Sequence, residues 1–335
     1  MPVLSRKKKM SKGLAQKISS LLLKDSVFLS SLLVRYSNIR LILHEAVNHM
    51  FRLVHSIKVY RLTTAGIEIN NTCNLKCLHC PTAQEMKREK GYMDYTVFKH
   101  IIDLNPELER VYLTNWGEPL LHPQLVEMIS YAHSKGKQTA ITTNGTILDR
   151  SLSKKLIESG LDIIKFSVDG NRETYQKIRG FSYDKVESRI IDFIEIRNAL
   201  KKGTWVEVSM LVFDETKEEI NSFLKKWKPK ANFVNLQPKF FTIKKKKYKP
   251  CRDLWRILEV LWDGTVVPCC ADFEGELVIG NAASENLQKL FRGQAMKELR
   301  KRHLQKKLPN LCTHCSPYYA DYHLSKKKLA ECTDT

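Results

Sequence analysis

The run Asn71-Thr72-Cys73-Asn74-Leu75-Lys76-Cys77-Leu78-His79-Cys80-Pro81 decides how the whole chain is read. Three cysteines fall at spacing CxxxCxxC. So short a loop cannot form two disulfides, and one pairing would leave a thiol over. Thiolates converging from one tight loop suit a metal instead. Iron–sulfur clusters are normally held by four thiolates. Three thiolates on a four-iron cube would therefore leave one iron open to an outside ligand.

Outward from this loop, apolar patterning predicts alternating strands and helices. Strands are expected over 65–69, 110–114, 138–143, 163–168, 205–212 and 233–236. Helices are expected over 95–104, 123–135, 151–159, 183–201 and 217–227. About six strand–helix units imply an α/β fold with a parallel sheet. In such folds functional groups gather at the C-terminal ends of the strands. The cysteine loop falls there, and so do Trp116-Gly117-Glu118-Pro119, Thr142-Thr143-Asn144-Gly145 and Ser167-Val168-Asp169-Gly170. Gly, Asn and Asp are also ordinary turn formers. Four motifs on one rim, one carrying three cysteines, weaken that plainer explanation.

Beyond 250 comes a second module. Cys251 precedes a hairpin over 262–270 with Asp263-Gly264 at its turn and Cys269-Cys270 at its end. A helix is expected over 287–303, then Cys312 and Cys315, with Cys332 near the C-terminus. The boundaries read as a basic helical extension at 1–62, a core at 63–240, a Lys-rich linker at 241–250 and a cysteine module at 251–335.

The net charge of +20 is unevenly placed. Residues 1–62 hold 12 Lys/Arg against two acids, and residues 225–249 hold ten Lys and no acid. The core around the cysteine loop is nearly neutral, which argues against a nucleic-acid partner. The basic extension reads as a helical cap with a solvated face, or as an interfacial helix for an anionic membrane surface. No stretch reaches the roughly 18 apolar residues of a membrane span, and no signal-peptide pattern stands out. Clustered cysteines then suit metal ligation in a reducing cytoplasm, with the membrane's inner face as a peripheral location.

The CxxxCxxC loop after a first strand, followed by these motifs in order, resembles the radical S-adenosylmethionine (radical SAM) superfamily over about 63–240. The resemblance implies a partial (β/α)6 TIM-like barrel. It implies that Cys73, Cys77 and Cys80 bind three irons of a 4Fe-4S cluster, with SAM on the fourth. Cleavage of SAM would then yield a radical that takes a hydrogen from a small-molecule or peptide substrate. A flavodoxin- or ferredoxin-type protein would supply the electron. His79 stands where the family usually has an aromatic residue near the adenine. Trp116, Gly117 and Glu118 match the Gly-Gly-Glu motif, except that Trp116 replaces its first glycine. Asn144, Ser167 and Asp169 fall where relatives contact SAM, and Arg179 resembles an arginine that pairs with its carboxylate. A surface salt bridge is the other reading of Arg179.

The second module resembles SPASM/twitch extensions. Cys251, Cys269, Cys312 and Cys315 would hold one auxiliary 4Fe-4S cluster, with Cys270 and Cys332 as alternates. A structural zinc site is the competing reading. The expected activity is an oxidation or dehydrogenation in which the auxiliary cluster takes an electron. Modification of a ribosomal peptide, or of a lipid or cell-envelope precursor, stands as an alternative. So does a non-catalytic zinc protein that binds a polyanion. The motifs assign no acid or base; Tyr112, Glu207 and Tyr248 stay undistinguished.

Overall fold

The computed structural model describes residues 39–84, 86–212, 216–238, 248, 250–313 and 315. The expectations for 1–38, for most of the Lys-rich linker and for Cys332 lie outside the described residues. Helix α1 (Ile39–Leu53) is what is described of the basic extension's helical part.

Six strands and their helices alternate from residue 64 onward. The strands are β1 (Thr64–Ile67), β2 (Arg110–Tyr112), β3 (Gln138–Thr143), β4 (Ile163–Ser167), β5 (Trp205–Val212) and β6 (Phe233–Pro238). Between them run α2 (Pro81–Gln84), α3 (Tyr95–Leu104), α4 (Leu125–Ser134), α5 (Arg150–Glu158), α6 (Arg172–Arg179), α7 (Tyr183–Ala199) and α8 (Ile220–Trp227). Adjacent strands pair in parallel and in sequence order. Side-chain caps set several helix starts: Asp94 accepts from Thr96 N–H, Asp149 from Leu152 N–H and Ser182 from Lys185 N–H.

Register sorts the side chains onto two faces, because successive residues of a strand point to opposite sides. One face carries Ala65, Ile67, Val111, Ile141, Ile164, Phe166, Val206 and Val208, all in the buried core. The helices cover it with residues such as Phe98, Met128, Ile157, Phe193 and Phe223. The other face carries Tyr112, Thr142, Lys165, Ser167, Glu207, Ser209 and Asn235 in paired register. Helix-covered parallel strands usually read apolar throughout. Here the face away from the helices carries these polar groups between Ala140, Ile163, Trp205 and Phe233, as the interior of a ligand-binding barrel would.

The cysteine module is built onto the same sheet. Strand β7 (Ile257–Val260) pairs in parallel with β1, with Glu259 opposite Gly66. Strands β8 (Thr265–Val267) and β9 (Gly280–Asn281) then continue antiparallel. The turn expected at Asp263-Gly264 joins β7 to β8, with Gly264 at φ +89°. The single helix expected over 287–303 is two, α9 (Leu287–Arg292) and α10 (Gln294–Leu304), separated by an extended Gly293. A short α11 (Asn310–Thr313) carries Cys312.

Candidate cluster and cofactor site

The loop after β1 is fixed by its own polar side chains. Asn70 Nδ2 donates to Thr72 O at 3.3 Å and to Glu118 O at 3.1 Å, and Glu118 N–H donates to Thr72 O at 2.8 Å. The loop therefore lies on the Trp-Gly-Glu-Pro turn. A side chain at Gly117 would collide with the Asn70 carbonyl, which is why glycine stands there. Asn71 ties the far side, with Nδ2 donating to Glu89 O at 2.8 Å.

The strand-end motifs meet this loop. Asn144 Nδ2 donates to Asn74 Oδ1 at 3.0 Å and stands 3.8 Å from Cys73 Sγ. Leu75 N–H points at the same sulfur at 3.5 Å. Arg179 Nη1 stands 3.9 Å from Cys77 Sγ. Leu78 N–H donates to Ile178 O at 2.9 Å, so the loop is also clasped to the end of α6. Arg179 binds Asp169 Oδ2 through Nε (3.0 Å) and Nη2 (2.7 Å), and Asp169 Oδ1 accepts from Leu211 N–H at 2.8 Å. With side-chain exposures of 12% and 4%, this pair is interior, not a surface salt bridge.

Glu118 is buried and joins two strand ends. Its Oε1 accepts from Thr143 Oγ1 at 2.6 Å and from Leu120 N–H at 3.1 Å, and its Oε2 from Asn144 N–H at 2.7 Å. Burial pushes its carboxyl up to about 6, against the lowering pull of these donors. Ser167 closes β4 beside its register partner Ser209. His79 is partly buried in the loop.

The second cysteine set gathers around Cys251. Cys269, Cys312 and Cys315 each lie within electrostatic reach of its thiol, while Cys270 faces Glu259 and Cys315. Burial raises the Cys251 and Cys312 thiols to about 12, and Cys77 to about 11. All eight described cysteines are free.

Contacts from Trp116 and Arg88 help join the two halves. Trp116 Nε1 donates to Cys270 O at 2.5 Å, and its ring meets Phe273 edge-on at 5.8 Å. Arg88 bridges Glu68 (2.7 Å) and the Phe273 carbonyl (2.9 Å).

A radical SAM superfamily model matches residues 67–226, and an iron–sulfur cluster-binding (SPASM) model matches 251–316. The chain carries a radical SAM domain followed by a SPASM domain. Its radical SAM domain implies a 4Fe-4S cluster and SAM, and its SPASM domain implies auxiliary iron–sulfur clusters.

A tungsten-containing aldehyde ferredoxin oxidoreductase cofactor-modifying protein of Pyrococcus furiosus is 39% identical over 106 residues, 31% of this chain and 30% of that protein. The chain thus spans under a third of that relative's length. An S-adenosyl-L-methionine-dependent 2-deoxy-scyllo-inosamine dehydrogenase of Niallia circulans is 23% identical over 257 residues, 75% of this chain and 91% of that protein. The solved structure of BtrN in complex with AdoMet and 2-DOIA superposes with a TM-score of 0.53 at 19% identity, over 79% of this chain and 99% of that one. That likeness shows the fold.

The residues of this chain fit clusters on two counts. The donor sets are all sulfur, which suits iron–sulfur chemistry. N–H donors converge on the sulfurs of Cys73 and Cys77, where they favour the anionic thiolate.

Sequence reasoning missed Asn70, Glu68 and Arg88. For Glu68 the signal was present: an acid inside the apolar run Ile67-Glu68-Ile69 that is 0% exposed. Its partners come from residues 88 and 262, which no local pattern indicates.

Proposed function

We propose that this protein is a radical SAM oxidoreductase that dehydrogenates a small polar substrate. Cys73, Cys77 and Cys80 would hold the catalytic 4Fe-4S cluster, and Cys251, Cys269, Cys312 and Cys315 the auxiliary one. Bound there, the clusters and SAM supply a hydrogen-abstracting radical and a sink for the second electron of an oxidation.

The chain's own residues orient and shield. Glu118 and Asn144 fix the rim on which SAM would lie, and the Asp169–Arg179 pair sets a guanidinium beside Cys77. A guanidinium can grip a carboxylate with two parallel hydrogen bonds. The observation that carries the reading is the Trp116–Cys270 hydrogen bond, which packs the second cysteine set against the strand-end motif of the first. A polar interior face suits a hydroxylated small molecule better than an apolar one. Similarity to a SAM-dependent dehydrogenase over most of both chains supports oxidation as the reaction class.

Anaerobic reconstitution tests this. About eight irons per chain, with deoxyadenosine formed in step with oxidised polyol, is the expected result. Zinc without iron, or SAM cleavage with no oxidised product from any hydroxylated substrate tried, would overturn it.

We further propose that the basic segment at 1–62 rests on an anionic membrane surface. No described helix is long and apolar enough to cross a membrane, while Val54, Ile57 and Tyr60 stand exposed after α1. Equal flotation on anionic vesicles with and without residues 1–60 would refute this contact.

A further inference from the structure

Tyr175 lies in the middle of α6, one turn before Arg179, so the two side chains share a helix face. Its residue is 0% exposed. Its ring packs edge-on against Tyr183 at 5.5 Å. Its hydroxyl oxygen is buried and makes no hydrogen bond.

Buried tyrosine hydroxyls usually find a partner. One left without costs about 1–3 kcal/mol of desolvation. The ring belongs to the hydrophobic core, but charged groups lie near the hydroxyl. Arg179, the Cys77 thiol and Asp169 all lie within its electrostatic reach, and burial pushes the phenol up to about 12. A tyrosine hydroxyl is in any case protonated at physiological pH and can act as a donor. Asp169 does not accept from it: its Oδ1 accepts from Leu211 N–H and its Oδ2 from Arg179. The backbone clasp between Leu78 and Ile178 holds the cysteine loop against this same helix. A neutral donor is thus kept ready beside a loop that gains negative charge when its thiols are deprotonated and its ligands arrive.

We infer that the Tyr175 hydroxyl is a positioning donor for the anionic acceptor that the loaded Cys73–Cys80 site presents, either a sulfur of the cluster assembly or a carboxylate oxygen of SAM. This rests on the reading of Cys73, Cys77 and Cys80 as cluster ligands. The hydroxyl has no partner within the protein, and loading the site supplies one.

The test compares wild type with Tyr175→Phe, which removes only the hydroxyl. Both are reconstituted anaerobically, and iron, cluster midpoint potential without SAM, and SAM dissociation constant are measured. If the acceptor is SAM, Tyr175→Phe binds SAM about tenfold or more weakly, as loss of a hydrogen bond to a charged group implies. If the acceptor is a cluster sulfur, SAM affinity holds and the midpoint potential falls, because a lost donor destabilises the more negative, reduced state. Metal-free Tyr175→Phe unfolds at the same temperature as metal-free wild type or above it, since nothing satisfied is removed. Unchanged potential together with unchanged SAM affinity, in protein with full iron, would overturn the inference and leave the hydroxyl to a structural water. Wild type that takes up no cluster would instead overturn the reading beneath it.

Discussion

The indole N–H of Trp116 donates to the backbone carbonyl of Cys270. One residue lies in the Trp-Gly-Glu-Pro turn that follows β2, and the other in the second cysteine set. A hydrogen bond between side chain and main chain thus sets the spacing of the two halves. It also explains the departure from a first glycine at position 116: glycine has no donor to reach Cys270 and no ring to meet Phe273.

Trp116→Phe keeps the aromatic contact and removes the donor. It is expected to cost about 1 kcal/mol of stability, read as a lower Tm of the reconstituted protein. The more telling measurement is stoichiometry. Deoxyadenosine per product should rise above the wild-type ratio, because SAM cleavage proceeds while the substrate's oxidation goes uncompleted.

Removing cysteines should separate the two sets. A Cys73→Ala, Cys77→Ala, Cys80→Ala triple variant should lose about four irons and all SAM cleavage. Cys312→Ala should lose iron from the other set, still cleave SAM and make little product. Iron and sulfide counts alongside deoxyadenosine assays check both, and full product from Cys312→Ala would refute an electron-accepting role.

Arg179→Met would strand the Asp169 carboxylate without its counter-charge. Breaking an interior pair costs about 3–5 kcal/mol, so chemical denaturation should show a marked fall in stability. Arg179→Lys should recover part of that stability and little of the SAM affinity. An ammonium keeps the charge but not the planar two-pronged geometry.

Glu259 faces Gly66 across β7 and β1, so closely that a Cβ at position 66 would overlap its carboxylate. Gly66→Ala should be strongly destabilising alone and much less so combined with Glu259→Ala, as a double-mutant cycle would show. Burial raises the Glu259 carboxyl from 4.5 to about 8. The folded state then holds a proton that the unfolded state has lost. This group's contribution to stability is full below pH 4.5 and declines as pH rises to about 8, by about 1.4 kcal/mol per pH unit at most. Glu259→Gln should flatten that decline in thermal melts of metal-free protein between pH 5 and 8.

Much of the fold could be read from local spacing. Strands at 138–143 and 205–212 and the helix at 95–104 have the bounds that apolar periodicity gives, because a strand or helix between two caps is set by its own residues. Helix α6 was missed. Its signals were present in Asn171 before it and in Gly180 after it, where φ is +67°. Its buried residues Tyr175 and Ile178 are too few, in a strongly charged segment, to show a clear apolar stripe.

What the sequence by itself determined is the chemistry: three thiols in one tight loop, four more at SPASM spacing, and turn motifs at successive strand ends. These depend on residues near one another in the chain. Only the tertiary structure decided which groups meet across long separations. Trp116 reaches Cys270, Arg179 reaches Cys77, and β7 joins the far side of β1. Register decided that Lys165, Glu207 and Asn235 share one polar interior face, since a slip of one residue would turn each to the helices. Burial decided the rest: the same Tyr175 that reads as an ordinary core residue in the sequence is, in the fold, a hydroxyl without a partner beside the cluster loop.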